Sequence, residues 1–336
     1  MTDQKNTLLA IVLSAVVLIA WQYFVGMPQM EKQKQEALLK QQQQQQQQVQ
    51  QPGQPGQPVP APQAGQTGAP TQVPGQGGAS TPTLQVTRDA ALKASPRVQI
   101  DTPTLRGSMA LRGAQIDDIA LIKFRETVDP KSPPIVLLSP TGSPHPFYAE
   151  FGWATGAGAA VKVPDRNTVW TQQGSGTLGV GKPVTLTWDN GEGLEFRRIV
   201  NIDDKYLLTV ENQVVNKGSA PVTLYPYGLI RRHGTPETLG YYILHEGLIG
   251  VIGDQGLQEF TYKAIEDKKN VSFKATNAWL GITDKYWAAT LLPDPKATLQ
   301  TKFSYELLGA QKTYQTDYLG DALTVAPGAT VSASPR

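Results

Sequence analysis

The chain of 336 residues has no cysteine, which excludes a disulfide framework, a zinc–thiolate site and a cysteine nucleophile. Histidine is nearly as scarce. His145, His233 and His245 are the three, and no HxH or HExxH spacing supports a metal site. The formal net charge is only +2, so no general electrostatic reason points to nucleic acid as a partner. After Gly26 there is no second apolar run of spanning length. From residue 97 onward no apolar stripe keeps a helical period, apart from a turn or two around Asp284 to Ala289, and no repeat of fixed period is present.

What is there begins with one uncharged run, Thr7 to Gly26. About 20 such residues at ~1.5 Å rise match the ~30 Å hydrocarbon core of a bilayer. Leu8, Leu9, Ile11, Val12, Leu13, Val16, Val17, Leu18 and Ile19 form its apolar body, and Trp21, Tyr23 and Phe24 suit the membrane–water boundary. A cleaved signal peptide needs a basic start and small residues at its exit. Here Lys5 is offset by Asp3, and the exit is bulky, so the segment reads as a retained anchor. Lys32, Lys34 and Lys40 follow it, and a bare positive-inside count therefore puts the large domain in the cytoplasm.

A polar stretch able to form a helix comes next, ending in a glutamine run. Pro52 to Thr83 is then dominated by proline, glycine and glutamine with almost no large apolar side chain, a composition that cannot build a core. The expected organisation is an anchor over 7–26, a polar helix and disordered Gln/Pro/Gly-rich linker over 27–96, and a folded domain over 97–336 that is expected to be truncated at its C-terminal end. Short alternating runs bounded by Gly, Pro, Asn and Asp make that domain all-β, a sandwich. Two strands divide at Gly113, a hairpin turns through Asp189-Asn190-Gly191, and Asn216-Lys217-Gly218-Ser219 repeats the device. The run Leu257–Ile265 reads as a further strand.

Three stretches invite chemistry. Gly176–Pro183 ("GTLGVGKP") approaches a phosphate-binding loop, but Pro183 stands where Ser or Thr should hold magnesium and a strand pattern follows. A glycine-rich β-turn is the better reading. His245 and Glu246 form a histidine–carboxylate pair of the kind sugar epimerases use, yet neighbours on a strand face opposite ways. Asn277–Asp294 is dense in aromatics. It reads as a core strand and a bend, with Asp284 capping a helical turn and the rings of Trp279, Tyr286 and Trp287 filling the interior.

The amino-terminal run, "TPTLRGSMALRGAQIDDIAL", "FRRIVNIDDKYLLTVENQVVNKGSAPVTL" and "AWLGITDKYWAATLLP" together resemble the YidC family of bacterial membrane protein insertases. The pattern Trp279, Gly281, Ile282, Asp284, Lys285 and Tyr286 is the most specific part and is assigned a structural role. The resemblance implies an uncleaved first helix with a cytoplasmic amino terminus in the bacterial inner membrane. It also implies a large periplasmic β-supersandwich of mutarotase-like fold, against the charge count. It further implies a non-catalytic insertase and chaperone without cofactor. The implied partners are the lipid bilayer, nascent inner-membrane proteins and the Sec translocon with SecD/SecF, and not nucleic acid. The five further spanning helices that carry insertion in the family have no counterpart in these residues. The chain is therefore expected to be the amino-terminal portion of an insertase, as a fragment or truncated product unable to insert clients alone. The alternatives are a stand-alone periplasmic adaptor or a sugar-binding module.

Overall fold

A computed structural model describes residues 73, 85–237, 244–284 and 286–335. The expected anchor residues and most of the linker lie outside the described residues, as does Lys285. Among the described residues no helix is long and apolar enough to cross a membrane.

The first half contributes α1 (Arg88–Lys93), β1 (Arg97–Asp101), β2 (Leu105–Ala110), β3 (Ile116–Arg125), β4 (Pro134–Leu138), β5 (Phe147–Thr155), β6 (Thr171–Gln172), β7 (Val184–Asp189), β8 (Leu194–Ile202) and β9 (Leu208–Asn216). The second half contributes β10 (Val222–His233), β11 (Gly247–Ile252), β12 (Leu257–Thr261), α2 (Tyr262–Lys268), β13 (Asn270–Thr276), β14 (Ala278–Thr283), β15 (Ala288–Leu291), β16 (Thr298–Leu308), β17 (Gln311–Gly320), β18 (Leu323–Val325) and β19 (Thr330–Ala333). A ten-stranded sheet runs β1-β2-β3-β5-β10-β17-β16-β13, with β4 beside β3 and β18 beside β10. A five-stranded sheet runs β19-β9-β8-β7-β6, and a four-stranded one β12-β11-β14-β15. The all-β sandwich is thus present.

Period-two alternation explains the layering. In β8, Leu194, Phe196, Arg198, Val200 and Ile202 point inward, and β9 turns Val210, Asn212 and Val214 the same way. These pack with Phe151 and Trp153 of β5, Leu224 and Ile230 of β10, and Leu248, Leu280 and Ile282 of the small sheet in one continuous core. A buried arginine completes it. The Arg198 side chain donates from Nε to Asn212 Oδ1 (2.8 Å), from Nη1 to the Ala114 carbonyl (2.8 Å) and from Nη2 to the Phe151 carbonyl. Its guanidinium lies 5.1 Å from the Trp170 ring centroid. Desolvation lowers its pKa to about 10, still far above neutrality, so the charge persists and ties β8 to the ten-stranded sheet.

Local expectations meet the structure unevenly. Gly113, at φ +70, starts the turn between β2 and β3, and the Asn190-Gly191 hairpin joins β7 to β8. Gly179 pairs with Lys182 across a tight turn that leads into strand β7, so the glycine-rich stretch is the turn expected. The Asn216–Ser219 turn is not a hairpin: β9 belongs to the five-stranded sheet and β10 to the ten-stranded one. Asn216 fixes that crossover by donating to the carbonyls of Ala220 (2.8 Å) and Val325 (2.9 Å). Residues 262–268 are helical rather than extended, because Thr261 caps α2 through Ala264 N (3.2 Å). The folded part also starts before residue 97. Helix α1 is held by Arg88 on Asp118 and Ser139, and Val86 N bonds to the Gly142 carbonyl at 2.9 Å.

Candidate functional site

Strand β10 lies between β5 and β17 and is buried on both faces. Its inner face joins the core. Its outer face, with that of its neighbours, forms rows set by register: Tyr148–Arg231–Gln315, then Glu150–Leu229–Asp317, then Gly152–Tyr227–Leu319. Gly152 is required in the last row, since a Cβ there would sit 2.8 Å from the Tyr227 hydroxyl oxygen. The missing side chain lets the Tyr227 ring lie across β5 and donate its hydroxyl to Glu150 (3.0 Å). Gln115 also donates to Glu150, at 2.9 Å.

The polar groups on this face are satisfied by one another. Arg231 donates to Gln315 (2.6 Å), and Gln315 donates to Asp317 (2.7 Å). Burial pushes the Asp317 carboxyl up to about 6, against the opposing pull of Gln315, Lys302 and Arg231. Burial and the nearby Arg231 charge push His233 down to about 4, so the imidazole is neutral at pH 7. It stacks on Tyr148 with 5.9 Å between centroids. A cavity of about 580 Å³ opens beside these rows, bounded by Arg97, Asp117, Glu150, Arg166 and Tyr227. Arg97 pairs with Asp117, whose pKa is nonetheless raised because burial outweighs that pairing.

A second concavity is apolar. It holds about 300 Å³ between Leu105, Ile116 and Leu121 of the large sheet and the segment Tyr286–Leu292. Aromatic rings rim it: Phe124 meets Trp287 edge-on at 4.8 Å and Tyr206 at 6.5 Å. Tyr206 sits at φ +73, an uncommon conformation for a bulky residue, and both Phe124 and Tyr206 are exposed.

Of the six-residue sequence pattern, Tyr286 lines this groove. Ile282 is in the core. At Gly281 a Cβ would approach the Ala289 carbonyl oxygen to 2.2 Å, so only glycine allows β15 to lie alongside. Trp279 lines a separate hollow with Asp294 and Lys296. Asp284 caps no helix. Both of its oxygens accept from Arg232 at 2.7 Å, and its Oδ1 from the Tyr262 hydroxyl at 3.3 Å. Because Arg232 belongs to β10 and packs 4.8 Å over Phe147, this carboxylate fastens the four-stranded sheet to the ten-stranded one. Tyr286 does not fill the interior: it is 70% exposed. Its backbone leaves the strand at Asp284, whose N–H bonds to the Trp287 carbonyl (2.7 Å) in a tight turn, and that turn throws the ring outward.

The histidines are dispersed in role. His245 Nε2 lies 2.9 Å from the Leu248 carbonyl, His233 is stacked in the outer face, and His145 is exposed. Among the described residues no group of three or more His, Asp or Glu could hold a metal ion. Sequence reasoning missed Arg198, Arg231 and Asp317. Only Arg198 carried a signal, a charge at an inward position of an alternating strand.

Among the described residues these features define a β-sandwich whose ordered side chains fasten its sheets to one another and whose surface carries grooves. The YidC periplasmic domain profile matches residues 97–336, and the chain belongs to that family. It is 54% identical over its whole length to the membrane protein insertase YidC of Bradyrhizobium diazoefficiens, covering 53% of that protein. It is 56% identical to that of Nitrobacter hamburgensis, covering 52%. The chain thus spans about half the length of these curated relatives. A solved galactose mutarotase related enzyme from Lactobacillus acidophilus overlaps 71% of this chain and 96% of its own at 11% identity, with a TM-score of 0.45. That overlap is too loose to bear on function.

Proposed function

We propose that this chain is the amino-terminal portion of a membrane protein insertase and chaperone of the bacterial inner membrane. Residues 7–26 anchor it with the amino terminus in the cytoplasm, a tether follows, and the sandwich stands on the periplasmic side. The observation that carries this reading is the identity to insertases across the entire chain, including the stretch before the sandwich. The domain performs no chemistry of its own. The whole protein offers nascent inner-membrane segments a partly hydrated path into lipid, which lowers the cost of desolvating their polar flanks. It does so alone or beside the Sec translocon, with SecD/SecF as contacts of the sandwich.

Conditional depletion of the gene in its host tests this. Newly made inner-membrane proteins should lose their protease-protected topology as the protein disappears. Unchanged insertion after full depletion would contradict the reading.

A further inference from the structure

The outer face of β5–β10–β17 is not open along its whole length. Val73, from the proline- and glycine-rich tract, is only 3% exposed. It is buried in a cluster with Tyr148, Ala154, Tyr225, Tyr227, Leu229 and Leu319, all on that face and separate from the main core. The tract from Pro52 to Thr83 holds two branched apolar residues, Val59 and Val73. A residue from a segment of such composition has no reason to be buried unless a surface is shaped for it. The surface has the character that proline-rich peptides select. Three tyrosines present flat apolar rings, and the groups beneath them are satisfied by Glu150, Gln315 and Asp317. Val73 stands in Pro70-Thr71-Gln72-Val73-Pro74, where flanking prolines limit the conformational entropy lost on docking.

We infer that this face is a docking site for a proline-flanked apolar peptide, and that its occupant is the chain's own tether, seated through Val73. The site stands independently of the insertase reading. It makes the tether a ligand as well as a spacer, and it shortens the free length between sandwich and membrane.

The absence of cysteine allows a direct test on the full chain in detergent micelles. Val73→Cys and, as a reference position in the same tract, Val59→Cys each provide the sole thiol. Val73→Cys should react with a maleimide at least about tenfold more slowly, the ratio that about 1.4 kcal/mol of docking gives. Adding Tyr225→Ala should remove that protection while near-UV circular dichroism reports an intact fold. Equal rates for the two thiols would overturn the inference, as would protection that survives Tyr225→Ala. Methyl NMR of the unaltered chain is independent of any variant. Val73 methyls should be shifted upfield by the tyrosine rings, and methyls at the positions of an unstructured valine would likewise overturn it.

Discussion

At its centre, along β10 and β17, the ten-stranded sheet is buried on both faces, yet the two faces are built from different chemistry. The inner face packs among aliphatic and aromatic side chains and receives the buried Arg198 guanidinium from β8 of the facing sheet. The outer face buries Tyr148, Tyr227, Arg231, Gln315 and Asp317 in a mutually bonded array. An apolar face specifies packing, whereas a satisfied polar face is costly to disturb but can still receive a ligand. The difference assigns stability to one side of the sheet and recognition to the other.

That division can be broken most forcefully at Arg198. Arg198→Ala leaves the Ala114 and Phe151 carbonyls and Asn212 without their donor and opens a cavity beside Trp170. A loss of roughly 3–5 kcal/mol in urea unfolding is expected. A loss below about 1 kcal/mol would mean the inner face does not depend on its cation.

Asp317 sharpens the contrast through pH. Its folded pKa of about 6 lies above the ordinary carboxyl value of 3.8, so its contribution is present below pH 4 and is lost as pH rises through 6. His233 acts oppositely. Held down to about 4 from 6.5, it favours the fold above pH 6.5 and loses that contribution as pH falls towards 4. The two slopes oppose each other in the wild type. Asp317→Asn should match the wild type near pH 4 and exceed it by roughly 2–3 kcal/mol above pH 6. Urea midpoints across that range provide the check.

Smaller effects are expected where the four-stranded sheet meets the others. Gly281→Ala forces a Cβ against the Ala289 carbonyl and should cost about 1–3 kcal/mol. Asp284→Ala removes the acceptor of a partly exposed Arg232, and solvent screening limits the loss to about 1–2 kcal/mol. Both are read as shifts in thermal unfolding.

The sequence made the hairpins legible because Asn-Gly and Gly turns dictate chain reversal by local backbone conformation. It did not reveal that the equally turn-like Asn216–Ser219 crosses between sheets, since turn chemistry sets a reversal and not the partner of the next strand. Helix α2 is too short for a period to emerge, and Thr261 at its start and Lys268 in its last turn are weak local marks. The outer-face array was invisible because β10 and β17 are buried on both faces, which erases alternation. The Trp279–Tyr286 pattern marked a place in the chain, but only the Arg232–Asp284 contact says what that place does.

The account stands on the sandwich lying outside the inner membrane. Val128 is fully exposed on the loop between β3 and β4, and Val128→Cys would be the one thiol of these 336 residues. Labelling by a membrane-impermeant maleimide in cells with a permeabilised outer membrane is the most direct measurement. Prompt labelling before the inner membrane is broken is predicted, and labelling only after its lysis would contradict the account.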